Sequence, residues 1–125
     1  MRALSTIVAG SRDITNYEVV RAAIDSAPWG VFELISGCAQ GVDTLAERWA
    51  AETWTPVIRY PADWRTYGKS AGPRRNREMA AYAEALILIW FGDSRGSADM
   101  LRAAKERGLA IHDVRLPRVP MPRIS

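Results

Sequence analysis

Four polar segments of this chain carry side chains that could do chemistry, and glycines stand in or beside each of them. They are Gly10-Ser11-Arg12, Ser36-Gly37 with Gly41-Val42-Asp43, Arg75-Asn76-Arg77-Glu78, and Gly92-Asp93-Ser94-Arg95-Gly96-Ser97. Serine hydroxyls and arginine guanidinium groups donate hydrogen bonds to anionic oxygens. Glycine admits close approach of backbone to a ligand, and a helix N-terminus presents free N–H groups to an anion. Together they predict a site for something phosphorylated, a nucleotide or a nucleotide derivative.

Each segment also has a plainer reading. Gly10-Ser11-Arg12 could be a tight turn whose arginine pairs with a carboxylate. It lacks the G-x-G-x-x-G spacing of a dinucleotide fingerprint. Asp43 could cap a helix rather than touch a ligand, and Ser97 is a candidate cap for the next one. Arg74, Arg75 and Arg77 could form a solvated basic face. However, cations near a helix start oppose the helix dipole unless an anion is present, and such local conflict marks functional positions. Arg75 and Met79 lie one turn apart and share a face.

The elements that must position these residues follow from the hydrophobic pattern. Short apolar runs at Leu4–Ala9, Val31–Ile35, Val57–Tyr60, Ala85–Phe91 and Ala110–Val114 read as strands. Residues 16–27, 42–53, 73–83 and 97–107 read as helices between them, with Asn16 or Thr15 as the first cap, Pro73 opening the third and Gly108 ending the last. The order predicts an α/β, Rossmann-like, doubly wound and mainly parallel sheet of about five strands with helices on both faces. Ala85–Phe91, the most apolar run, is expected to be central. Ligands of such sheets bind outside the carboxyl ends of the strands, where three of the four segments fall.

Pro61–Gly72 has no clear period and holds Asp63, Trp64, Arg65, Tyr67 and Lys69. Long loops in compact domains are usually functional. Trp64 and Tyr67 could stack on a base; packing is the favoured role for Trp64, while Tyr67 stays open. Trp29, Trp49, Trp54 and Trp90 are expected in the core or an interface, and His112 in a structural role.

Composition narrows the class. With 125 residues the chain is read as one domain over 1–116, and the proline-rich segment 117–125 as an extended or disordered tail. The formal net charge of +3 favours an anionic ligand but is far from that of a nucleic-acid-coating arm. One cysteine and one histidine leave no metal-ligand constellation, and Cys38 reads as a small loop residue. No metal, cofactor, membrane span or signal segment is expected, and the default location is cytoplasmic.

These segments, taken in order, resemble the SLOG superfamily, which joins the DNA-processing Smf/DprA proteins and the LOG enzymes. Val8-Ala9-Gly10-Ser11-Arg12, Ser36-Gly37, Gly41-Val42-Asp43-Thr44-Leu45-Ala46, Arg75-Asn76-Arg77 and Ser94-Arg95-Gly96-Ser97-Ala98 carry the resemblance over residues 4–114. Pro61-Ala62-Asp63-Trp64 and the run from Tyr67 to Met79 look most like the small YspA-type branch of bacteria and phages. The resemblance implies a Rossmann-like sheet, a nucleotide-derived ligand and a homo-oligomer, dimer or tetramer.

Three functions compete at this stage. The leading one is a sensor or sequestering module for a nucleotide-derived small molecule. Its ligand-binding residues would be Gly10, Ser11, Arg12, Ser36, Gly37, Gly41, Asp43, Arg75, Asn76, Arg77, Glu78, Gly92, Ser94, Gly96 and Ser97. The second is a LOG-like phosphoribohydrolase cleaving a nucleotide N-glycosidic bond. That reaction needs a carboxylate near the sugar and a cation on the phosphate, which makes Glu78, Asp99 and Arg75 the catalytic candidates. Arg75 and Met79 match the arginine–methionine pattern of the LOG enzymes. Their catalytic glutamate position falls on Met100, with Asp99 one place before it. The third function is single-stranded DNA binding by analogy with DprA, which the modest charge does not favour.

Overall fold

The computed structural model describes residues 2–118. Five strands form one sheet: β1 (Ala3–Gly10), β2 (Gly30–Ser36), β3 (Val57–Arg59), β4 (Ala85–Trp90) and β5 (Ala110–Arg115). Their order is β3-β2-β1-β4-β5, and every pairing is parallel. The helices are α1 (Tyr17–Asp25), α2 (Val42–Glu52), α3 (Trp64–Tyr67), α4 (Ala71–Tyr82) and α5 (Arg95–Glu106), with a 3₁₀ turn at Gly68–Ser70.

The chain steps outward from β1 to β2 to β3, then crosses back to β4 and continues to β5. Right-handed crossovers running in opposite directions put their helices on opposite faces. Accordingly Val20, Ala23, Ile24, Ala46, Trp49 and Ala50 of α1 and α2 share a core with Val8, Leu34, Ile87 and Ile89. Met79, Ala80, Met100, Leu101 and Ala104 of α4 and α5 share the other with Ile7, Ile35, Leu86 and Leu88. β4 has every residue buried and alternates between the two cores. It is interior, between β1 and β5. The doubly wound parallel sheet expected from the pattern is the fold observed.

Reversal of strand order between β1 and β4 opens a crevice at their carboxyl ends. The two strands are in register up to Gly10↔Ile89, and Ser11 N–H donates to the Ile89 carbonyl at 3.0 Å. Gly10 is required here, because a Cβ would overlap the Ile89 carbonyl.

Local chemistry explains the boundaries. Asn16 caps α1, its side chain accepting from Glu18 N–H at 3.0 Å. The cap of α5 is Ser94, whose hydroxyl accepts from Ser97 N–H at 3.3 Å, so the helix starts at Arg95 and Ser97 lies inside its first turn. The region 61–72 is not irregular throughout: Asp63 caps α3, accepting from Thr66 N–H at 3.1 Å, and α4 begins at Ala71. Pro73 is tolerated at the third helical position because that N–H has no intrahelical acceptor in any helix.

Trp29, Trp49 and Trp90 are buried, whereas Trp54 is 94% exposed at a positive φ of 57° in the turn after α2. Trp54 therefore does not belong to the core. His112 lies 3.0 Å from the Ser26 hydroxyl and packs edge-on against Trp29. Pro117 and Arg118 are the described part of the tail; residues 119–125 lie outside the described residues, and so does the expectation made for them.

Candidate functional site

The crevice is a cavity of about 680 Å³. Residues of β1, α2, α3, α4 and α5 and their connecting loops line it, so no single segment builds it.

Its α5 wall is Ser94, Arg95, Gly96, Ser97, Asp99 and Arg102. Ser94 uses its hydroxyl on Ser97 N–H and its carbonyl on Ala98 N–H. The Arg95 and Gly96 N–H groups have no partner among the described residues. Gly96 faces open space where a side chain would stand. Ser97 is 4% exposed, and its hydroxyl has no hydrogen-bond partner. An unsatisfied buried hydroxyl costs free energy on the order of 1–3 kcal/mol, so Ser97 and the neighbouring N–H groups form a cluster of donors with unused hydrogen-bonding capacity.

The α4 wall presents Arg75, Asn76 and Met79. Arg75 donates to the Gly37 carbonyl and, through Nε, to the Asn76 side-chain oxygen at 3.1 Å. Asn76 is buried and donates to Asp99 at 2.9 Å. Arg77 donates to Asp99 at 3.2 Å and to the Pro73 carbonyl at 2.9 Å. Arg102 lies 3.6 Å from the same carboxylate. Asp99 is thus a carboxylate surrounded by donors.

The β-strand wall contributes Gly10, Arg12, Ala39 and Asp43. Asp43 is buried in the first turn of α2, and its Oδ2 accepts from Ala39 N–H at 3.1 Å. The helix cap itself is Gly41, at φ 76°, where a Cβ would overlap the Ser11 and Arg12 carbonyls. Burial pushes the Asp43 carboxyl up to about 6, against the pull of Ala39 N–H and the Arg75 guanidinium. Asp43 thus faces the cavity with its carboxyl raised from the ordinary carboxylate range by burial.

Eight of the ligand-binding candidates meet on this lining: Gly10, Arg12, Asp43, Arg75, Asn76, Ser94, Gly96 and Ser97. The others stand behind or beside it. Ser11 is buried and donates to Asp13. Ser36 donates to Glu47 at 2.6 Å and accepts from Cys38 N–H at 3.1 Å, bracing the loop. Gly37 and Gly41 shape backbone. Gly92 holds a φ of 88° outside the cavity. Arg77 and Glu78 are exposed and outside the lining, because at about 100° per residue each lies roughly 130° from the direction shared by Gly72, Arg75, Asn76 and Met79. Of the two candidate carboxylates, Asp99 reaches the cavity and Glu78 does not.

Lys69, Gly72, Pro73 and Arg102 line the cavity without having been singled out from the sequence, and Trp64, for which packing was favoured over base stacking, and Arg95, named only within its loop, line it too. The available signal was the place of Trp64, Lys69 and Gly72 in the aperiodic 61–72 stretch and of Arg95 next to Gly96; Arg102 carried none. Cys38, at a positive φ of 62°, is outside this cavity. Its thiol is pushed up, chiefly by desolvation and then by Glu47, which is the opposite of nucleophile activation. Among the described residues no group of His, Cys, Asp and Glu could hold a metal ion, and no helix is long and apolar enough to cross a membrane.

Comparison with known proteins agrees with this architecture. The model of the YspA, cpYpsA-related SLOG family matches residues 5–67. The chain belongs to that family. The matched span runs from within β1 to the end of α3, including the Gly10 and Gly41–Asp43 loops, and ends before the α4 and α5 walls. The Gene 61 protein of Mycobacterium phage D29 is 30% identical over 119 residues, covering 84% of this chain and 91% of that protein. The fold is similar to that of DNA processing protein A (DprA) from Streptococcus pneumoniae, with a TM-score of 0.73 at 20% identity. That similarity covers 93% of this chain and 52% of the DprA chain, so this chain spans about half of it.

Proposed function

We propose that this protein binds a nucleotide or nucleotide-derived small molecule in the crevice between the β1 and β4 ends, as a sensor or sequestering module. The observation that carries the reading is Ser97: a buried hydroxyl without a partner, beside two free N–H groups at the start of a 12-residue helix. A phosphate placed there receives the hydroxyl, the amides and the favourable end of the helix dipole. Arg12 and Arg95 line the same cavity with no carboxylate partner among the described residues, and they supply further positive charge. Asp43, on the β-strand wall, suits a ribose hydroxyl, which can donate to its ionised form.

Membership in the SLOG family and a DprA-like fold support a role involving nucleotides or DNA in general terms. Binding is favoured over N-glycosidic hydrolysis by the state of the two carboxylates named as catalytic candidates, Asp99 and Glu78. Asp99 is committed to Asn76, Arg77 and Arg102, which leaves little negative charge to stabilise an oxocarbenium-like transition state. Glu78 stands outside the cavity. A homo-oligomeric state and a cytoplasmic location belong to the same proposal.

The test is isothermal titration with nucleoside mono-, di- and triphosphates, cyclic nucleotides and ADP-ribose, followed by chromatography of the recovered ligand. Binding with the ligand recovered intact, weakened at least tenfold in Ser97→Ala with Arg95→Ala, supports the reading. Free base plus ribose phosphate would replace it with hydrolysis. No binding of any of these, together with tight salt-dependent binding of an oligonucleotide, would replace it with a DNA-binding role.

A further inference from the structure

Trp64 is the first residue of α3 and lines the cavity. The residue is 54% exposed. The ring is seated over Gly72, near the start of α4: a Cβ at Gly72 would lie 3.2 Å from Cη2 of the indole. Glycine therefore sets how closely the ring approaches the cavity floor. The helix that carries Trp64 is held from outside. Asp63 caps it, and hydrogen bonding to Thr66 keeps the Asp63 carboxyl below the usual range. Ser70 donates to the Tyr67 carbonyl at 2.9 Å, and Arg74 donates to Ser70 at 3.2 Å while its guanidinium lies 4.3 Å from the centre of the Tyr67 ring. Tyr67 is thereby occupied by Arg74 and is not on the lining. Trp64 has no comparable partner among the described residues: no cation over its ring and no acceptor for its indole N–H.

A large aromatic surface, fixed in position and left half-open at a polar cavity, is the arrangement that takes a planar π-system. We propose that Trp64 is the platform on which the ligand's nucleobase stacks, so that the site selects nucleotides over sugar phosphates. This rests on the crevice reading above and deepens it. The α5 wall would take the phosphate, and the Trp64–Gly72 wall the base. Lys69, between these two residues in sequence and also on the lining, adds a positive charge on that side. Stacking is tolerant of base identity, since every base has a π-face, and it is worth roughly 5- to 150-fold in affinity per base.

The experiment is calorimetric titration of AMP, GMP, CMP, UMP and ribose 5-phosphate into the wild-type protein and into Trp64→Ala, Trp64→Phe and Gly72→Ala. The expected wild-type result is at least one nucleotide bound tenfold or more tighter than ribose 5-phosphate. In Trp64→Ala that ratio falls to near one while ribose 5-phosphate binding is unchanged, and Trp64→Phe keeps most of it. Gly72→Ala, which pushes the indole from its seat, lowers the ratio without removing the ring. A ratio that survives in Trp64→Ala overturns the stacking role and leaves the phosphate reading standing. Wild-type protein that binds neither the nucleotides nor ribose 5-phosphate overturns both.

Discussion

Asn76 on α4 donates a 2.9 Å hydrogen bond to Asp99 on α5, and this part-buried pair joins the two helices that wall the crevice. Asp99, 16% exposed, also takes Arg77 at 3.2 Å. Removing the amide leaves a largely buried carboxylate short of one donor. Asn76→Ala is therefore expected to destabilise the protein by about 1–3 kcal/mol in urea denaturation. Asn76→Asp, which places a second carboxylate against Asp99, should cost more than Asn76→Ala. An alanine variant within about 0.5 kcal/mol of wild type would show that the pair does not hold the helices together.

Asp43 predicts a pH dependence with a definite sign. Its folded-state pKa, near 6, lies above its ordinary value of 3.8 because it is buried. Between those values the folded protein binds more protons than the unfolded chain, so this group's contribution is full below about pH 3.8 and is lost as pH rises through 6. At pH 7 the ionised carboxylate costs up to about 3 kcal/mol. Asp43→Asn keeps an acceptor for Ala39 N–H and removes the titration. Its stability relative to wild type should rise from pH 4 to pH 7 and level off above. A difference independent of pH would mean that Arg75 compensates the charge fully.

Two glycines near the crevice are fixed by contact rather than by flexibility. Gly10→Ala would drive a Cβ into the Ile89 carbonyl, and Gly41→Ala would drive one into the Ser11 and Arg12 carbonyls at a φ of 76°. Both are expected to lower stability by more than about 2 kcal/mol, by overpacking and, at Gly41, by strain as well. Gly108→Ala, at φ 68° in open space, carries only the conformational term and should cost about 1 kcal/mol. Equal losses at Gly10 and Gly108, measured by chemical denaturation, would contradict the close approach of β1 and β4.

Arg118 bridges two loops beside the switch point. It pairs with Asp93 at 2.6 Å and with Asp13 at 3.1 Å, and its guanidinium covers Phe91. Arg118 is the first cause of the lowered Asp93 carboxyl, whereas Ser11 is the first cause at Asp13. In Arg118→Ala the Asp93 pKa should return to the ordinary range, and the Asp13 pKa should rise but stay depressed. Carboxyl titration by NMR distinguishes the two, and identical shifts at both residues would contradict the assignment of Ser11.

The alternation of strands and helices was legible because each apolar run is long enough to show its period: β4 and α5 were placed within two residues by Ala85–Trp90 and by Met100, Leu101 and Ala104. The four-residue α3 could not be read, since it completes barely one turn and shows no repeat. Ser94 rather than Ser97 caps α5, a distinction between two serines three residues apart that depends on which hydroxyl meets which N–H.

By itself the sequence determined the parallel α/β class, the glycines at the strand ends and a surplus of donors there, because these depend on local pattern and residue type. Only the tertiary structure decided which of those donors share a cavity. Helical phase turns Arg75 inward and Arg77 and Glu78 outward, and the reversal of strand order brings the α5 start opposite the α4 face. The same packing puts Trp64 on the lining and leaves Tyr67 under Arg74. Contacts between segments far apart in the chain made that choice, and no local period encodes them.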